Sequence, residues 1–259
     1  MPATPIAALS LSTALAYALL AFAHRHLSAV QARWGFVAVW VLHALVLLFG
    51  WTDPPPRFGF ASALSLTVWL VLAVHGVESR VYPQLRTRWT LAAMGSVAVL
   101  LAWVFPGAPF PHLPSAWLPL HWAFGMAAYG LIAAAVVHAW LMQRAERAMR
   151  RGLGTEAGLP LLTLERLTFR LLSAGFVLLS ATLVAGAWFS NTLYQHMSWN
   201  HKTVFSVLAW LTMGVLLWGR WRLGWRGRTA VRTLYAGAGL LLLGYAGSRF
   251  VMEVLLHRA

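Results

Sequence analysis

The sequence predicts an all-α, polytopic integral membrane protein with about eight transmembrane helices and both termini, N and C, outside. Three observations predict it. Of the 259 residues, 60% are hydrophobic and only 10% are charged. The apolar residues fall in long runs instead of alternating with a helical or strand period. Arginine collects in every second connection between those runs. A span takes roughly 20 mostly apolar residues to cross about 30 Å of hydrocarbon. There the backbone has only its own groups to bond, so each run is helical.

The first run, 5–23, ends Ala21-Phe22-Ala23 like a signal-peptidase site, but no Lys or Arg precedes it to make a positive n-region, so it reads as a retained helix. The second, 35–51, carries His43 at mid-span. The third and fourth, 61–77 and 89–106, lead into a connection rich in proline (Pro106, Pro109, Pro111, Pro114, Pro119) that enters the next helix at a fixed angle. The fifth, 118–142, continues from Gln143 into water until Gly152-Leu153-Gly154 stops it. Residues 164–170 read either as a plain connector or as an amphipathic lead-in to the sixth, 171–189, with Glu165 and Arg166 solvated. The seventh and eighth are 203–219 and 233–254. No internal repeat is evident and no loop is long enough for a second fold, so residues 1–259 form a single membrane domain.

A formal net charge of +14 in a soluble protein suggests nucleic acid, but the placement of the cations gives membrane topology instead, with no nucleic acid partner. Arg25 and Arg33 lie in the first connection and Arg80, Arg86 and Arg88 in the third; further arginines crowd 144–170 and 220–232, the fifth and seventh. The second, fourth and sixth hold only Arg57 and Lys202. The positive-inside rule then puts the odd connections in the cytoplasm. The chain has no cysteine, which excludes thiol redox chemistry, disulfides and thiolate metal sites and leaves any transition-metal chemistry to histidine.

On this topology His112, His121, His196, His201 and His257 fall at or near the outer face, His24, His26, His75 and His138 towards the inner one, and His43 in mid-span. An imidazole in or at the membrane is a site candidate; at an interface it also serves as a plain belt residue beside tryptophans such as Trp117 and Trp122. His121 is followed by Gly125 and Ala128 on the same helix face, a small-residue groove against which a flat cofactor fits. His43 requires a hydrogen-bond partner or a ligand. His138 lies near the other end of the same helix and cannot share a site with His121. Arg249 and Glu253 stand at i, i+4, either as a structural ion pair or with Arg249 facing inward to bind an anion such as a haem propionate. Trp188, Tyr194, Trp199 and Trp210 gather around His196 and His201 as an aromatic platform. No nucleophile, carboxylate pair or phosphate loop marks a self-contained enzyme. The lack of intramembrane Asp and of obvious broken helices argues against a transporter.

Several blocks, in order, resemble the haem-handling cytochrome c assembly proteins. They are Leu120-His121-Trp122 with Tyr129, Thr163-Leu164-Glu165 with Arg170, Gly175-Phe176 with Gly186, His201-Lys202-Thr203-Val204 with Trp210, Leu217-Trp218-Gly219-Arg220, Gly224-Trp225-Arg226-Gly227-Arg228, and Tyr245-Ala246-Gly247-Ser248-Arg249-Phe250. The likeness is to the HemX/YpjD-like branch of the CcsA/ResC group. It is best over residues 118–257, and a looser CcsA-like region begins near 35, chiefly through His43.

The resemblance implies a multi-pass protein of the bacterial cytoplasmic (inner) membrane that binds haem b near the outer face. It would help present haem for attachment to apocytochrome c, alongside other cytochrome c maturation proteins, as at most one component of a haem-attachment machine. It implies His121 as the first outer ligand and His257 close to the position of the second, so that two imidazoles bracket the haem iron. It also implies His43 as a buried ligand or relay, and it puts His201 and Trp199 in the outer loop that holds the haem edge. That loop departs from the pattern: the family's Ser-Trp-Asp-Pro-Lys-Glu-like stretch reads here Ser198-Trp199-Asn200-His201-Lys202-Thr203, without the Asp, Pro and Glu. The alternative is a non-enzymatic membrane scaffold or regulator that retains the fold without haem.

Overall fold

The structure, a computed structural model, describes residues 4–23, 26–52, 57–82, 88–109, 118–152, 159–194 and 201–256. Among these the chain is helical almost throughout, and the only β feature is an isolated antiparallel bridge between Arg57 and Pro109. The helices are α1 (Thr4–Ala23), α2 (Ala29–Thr52), α3 (Phe60–Val81), α4 (Arg88–Val104), α5 (Leu118–Arg150), α6 (Leu161–Tyr194), α7 (His201–Leu223) and α8 (Gly227–Leu242). All but α4 are long and apolar enough to cross a membrane, α8 together with its extension to Leu255. α4 is apolar but has 17 residues, about 25 Å at the α-helical rise. Each predicted run falls on one helix. α5 runs through Arg144, Arg147 and Arg150 and stops at Gly152, whose φ of +69° is left-handed backbone that suits glycine.

Three expectations are corrected. The lead-in before the sixth span is part of α6 itself, one helix of 34 residues, and Glu165 within it is 9% exposed instead of solvated. Its carboxylate pairs with Arg220 and lies 3.6 Å from Arg226, because the turn between α7 and α8 folds back over it. Arg220 also stacks 4.6 Å from the Phe169 ring centroid and donates to the Trp225 carbonyl at 3.3 Å.

The second correction concerns the last helix, which is interrupted. After Leu242 it widens into a π-helix at Leu243–Gly247, returns to α over Ser248–Phe250, and widens again at Val251–Leu255. The third concerns the small-residue groove beside His121, which is filled by α6. A Cβ on Gly125 would lie 3.5 Å from Thr182, one on Gly186 3.2 Å from His121, and one on Gly175 2.8 Å from Ile132. Steps along α5 are matched by equal steps back along α6, so the two pack antiparallel in one register over buried Ala128, Ala135 and Ala139. Small residues that let backbones approach are how helices associate in lipid, where helix contact has no hydrophobic advantage over tails.

The amino-terminal half is joined by polar ties. Ser96 Oγ donates to the Ala14 carbonyl at 2.8 Å between α4 and α1. α2 and α3 are clasped by two tryptophans: Trp40 Nε1 donates to the Trp69 carbonyl and Trp69 Nε1 to the Trp40 carbonyl, each at 3.1 Å, with the rings stacked 4.6 Å apart. Large exposed residues such as Leu15, Phe22, Val177 and Val184 are left on the outside as a lipid face. α3, α5 and α7 begin at the end of the bundle where α2, α4, α6 and α8 finish. That end is poor in cations; the opposite end carries Arg80, the arginines of α5, and those from Arg220 to Arg232.

Candidate functional site

A polar and aromatic cluster lies at the cation-poor end, and glycine makes it possible. The backbone before α3 crosses the one after α4, with Phe58 N donating to the Ala108 carbonyl at 3.2 Å. A Cβ on Gly59 would lie 2.7 Å from Gly107 Cα, and Gly107 itself has φ +83°. The same imagined Cβ would lie 2.5 Å from Glu253 Oε2, so Gly59 lets the end of the last helix meet the start of α3. There the Glu253 carboxylate stands by the Phe60 backbone amide, at the positive end of the α3 dipole.

Aromatic rings line the approach. Phe58 stacks with Trp122 at a centroid separation of 6.3 Å and meets Tyr245 at the same separation. Lys202 Nζ is 5.9 Å from the Tyr245 ring centroid. Arg249 follows Tyr245 by one turn, and its Nη1 is 3.9 Å from Glu253 Oε1. In a regular α-helix a four-residue step drifts about 40° around the axis. Wider π turns mixed with α turns counter that drift and keep Tyr245, Arg249 and Glu253 in line. Where the widening begins, Tyr129 Oη donates to the Leu241 carbonyl at 2.5 Å.

The predicted site residues separate on this frame. His121, in the first turn of α5 beside Trp122, is half-buried against Gly186 with the Thr182 backbone in polar reach. His201 is exposed and opens α7 next to Lys202. His121, His201 and Arg249 therefore share one end of the bundle. His257 and Trp199 lie outside the described residues, as do His24, His112, His196 and Trp117. Among the described residues no group of three or more His, Asp or Glu is arranged to hold a metal ion. Trp210 does not belong to the platform around His201: it stacks on Phe176 at 5.6 Å and donates to Ser180 Oγ at 2.8 Å, deep between α6 and α7.

His43 is in a different place, with 0% exposure. Its Nδ1 is 3.3 Å from Tyr17 Oη and its Nε2 2.8 Å from Ser65 Oγ. A neutral imidazole has one donor and one acceptor nitrogen, so one hydroxyl donates to the ring and the other accepts from it. Both nitrogens are engaged, and the ring ties α2 to α1 and α3.

Sequence reasoning missed two features. Glu78 Oε2 lies 3.0 Å from His138 Nε2 towards the arginine-rich end, while His138 Nδ1–H donates to the Ala134 carbonyl at 2.8 Å. The pair joins α3 to α5 within ion-pair range, with the imidazole oriented by its own helix backbone. Lys202 is the other, and the signal for it was present: it is the only lysine in the chain.

A sequence profile of the family described as Cytochrome C assembly protein matches residues 4–256. Inner membrane protein YpjD of Escherichia coli (strain K12) is 42% identical over 96 residues, 37% of this chain and 36% of that protein. Cytochrome c biogenesis protein CcsA of Gloeobacter violaceus is 29% identical over 92 residues, 35% of this chain and 27% of that protein. The CcsA of Synechococcus sp. (strain CC9311) is 33% identical over 82 residues, 31% and 26% of the two chains. The chain thus spans about a quarter to a third of the length of these curated relatives. No solved structure matches significantly.

Proposed function

This chain belongs to the cytochrome c assembly protein family, and from that premise we propose that it is a haem-handling accessory protein of cytochrome c biogenesis in the bacterial inner membrane. On this reading it presents haem b at the outer face for attachment to apocytochrome c, and the cation-poor end is the outer one by the positive-inside rule. The observation that carries the reading is the gathering at that end of an imidazole, His121, two cations, Lys202 and Arg249, and the rings of Phe58, Trp122 and Tyr245.

The donor set suits haem. A neutral imidazole ligates its iron, guanidinium and ammonium groups suit its propionates, and flat side chains suit its ring. Haem, when bound, supplies the iron to be ligated and the macrocycle to be attached. His121 would ligate the iron, with His257 as the proposed second ligand. Arg249 would pair with the propionates, and the lipid-facing helices keep these groups at a fixed depth. A scaffold or regulator without haem is the second reading. It is favoured by the engagement of both His43 nitrogens and by the filling of the groove beside His121 by α6.

A reduced-minus-oxidised absorption spectrum of detergent-purified protein from haem-replete cells separates the two. A Soret band that is lost in His121→Ala, with helix content unchanged, supports haem handling. A colourless wild-type preparation refutes it and leaves the scaffold.

A further inference from the structure

Glu253 is an acid at the centre of a cluster suited to a ligand's acid. Its side chain is 9% exposed, and both carboxylate oxygens are shut off from solvent. It rests in the space that only a glycine at 59 leaves open, at the Phe60 amide. Two cations, Lys202 and Arg249, act on its charge. Neither closes on it. The Arg249 separation of 3.9 Å is well beyond the 2.7–2.9 Å or so of a charge-assisted hydrogen bond, and the buried Arg249 Nε has no hydrogen-bond partner among the described residues. Lys202 sits over the Tyr245 ring instead. Two cations around one acid leave a net positive charge and unused donors, which suits a second carboxylate. The segment that carries Glu253 is the π-helical turn Val251–Leu255, a form found mostly as short insertions in α-helices and frequent at functional sites.

We propose that Lys202, Tyr245, Arg249 and the first turn of α3 form a carboxylate-binding site whose built-in occupant is Glu253, and that a ligand's carboxylate binds by displacing Glu253 from α3. The inference rests on the haem reading for the identity of that ligand, whose propionates are the carboxylates in question. The site itself is defined by this chain's own groups. Glu253 is then a competitor within the site, and removing its charge strengthens ligand binding, the opposite of what loss of a binding residue does.

The test titrates haemin and haemin dimethyl ester into the purified full chain in detergent micelles, read by quenching of tryptophan fluorescence. Wild type is expected to bind the diacid more tightly than the ester. Glu253→Gln is expected to gain about tenfold for the diacid, within the usual span of coupling between sites, and nothing for the ester. Glu253→Asp, which keeps the charge on a shorter stem, should fall between and serves if the Gln variant folds poorly. The double variant Lys202→Gln, Arg249→Gln should lose the preference for the diacid. Equal affinity for diacid and ester in wild type and in Glu253→Gln overturns the proposal and leaves haem binding intact. Binding of neither compound refutes the haem reading, and the site is then judged by thermal stability in succinate. A rise in Tm larger in Glu253→Gln than in wild type and absent in the double variant upholds it; equal rises or none overturn it.

Discussion

His43→Ala tests whether the mid-membrane histidine is a structural tie. Truncation strands two hydroxyls, Ser65 Oγ at 2.8 Å and Tyr17 Oη at 3.3 Å, in a place with no access to water. An unmet buried polar group costs about 1–3 kcal/mol in general, yet interhelical hydrogen bonds in membranes average only about 0.6 kcal/mol because the unfolded chain finds partners in the bilayer. The lower part of the first range therefore applies to each hydroxyl. With the cavity left by the ring, the loss comes to about 2–4 kcal/mol. Ser65→Ala removes the shorter bond and should cost about 1 kcal/mol, and Tyr17→Phe, at the longer one, about half that. Unfolding in mixed micelles of rising SDS fraction, followed by tryptophan fluorescence, measures the series. The order His43→Ala, Ser65→Ala, Tyr17→Phe is expected, with the double variant His43→Ala, Ser65→Ala less damaging than the two losses added. Tyr17→Phe more harmful than Ser65→Ala would refute the geometry. A His43→Ala protein as stable as wild type but stripped of haem colour would make the residue a ligand instead of a tie.

Three more outcomes follow from packing. Glu165→Gln leaves Arg220 against Phe169 without its counter-charge, and since the pair is only partly buried a loss of about 1–3 kcal/mol is expected; Arg226→Ala, at an exposed guanidinium, should cost under about 1 kcal/mol. The same SDS titration compares them, and equal losses would contradict the assignment. Gly175→Leu drives a side chain into Ile132 and should destabilise by about 1–3 kcal/mol, whereas Gly76→Ala, whose Cβ meets nothing within 4 Å, should be neutral or up to about 1 kcal/mol stabilising. Trp40→Phe and Trp69→Phe each remove one N–H of the reciprocal clasp and keep an aromatic ring, so their Tm losses should match; a Tm drop confined to one of them would show that the two hydrogen bonds are not equivalent.

Helix number and order were legible in the sequence because the bilayer imposes a simple rule: each run must be long, apolar and hydrogen-bonded within itself. The i, i+4 placement of Arg249 and Glu253 on one face of the last helix was legible for the same local reason, and so was the stop at Gly152. What stands opposite each helix was not. Periodicity marks Gly125 and Ala128 as a groove, but only packing shows that α6 fills it. It marks Glu165 as solvated, though the end of α7 and the turn after it supply two arginines from more than fifty residues away. Lys202 reached the helix of Tyr245, Arg249 and Glu253 only when α7 packed on it, the start of α3 joined them only where Gly59 and Gly107 let two connections cross, and Glu78 met His138 only when α3 lay against α5. Span composition is a transfer property of each segment in lipid and is written in the segment itself. The partners of a buried polar group depend on which segments meet, and that is decided by the tertiary structure.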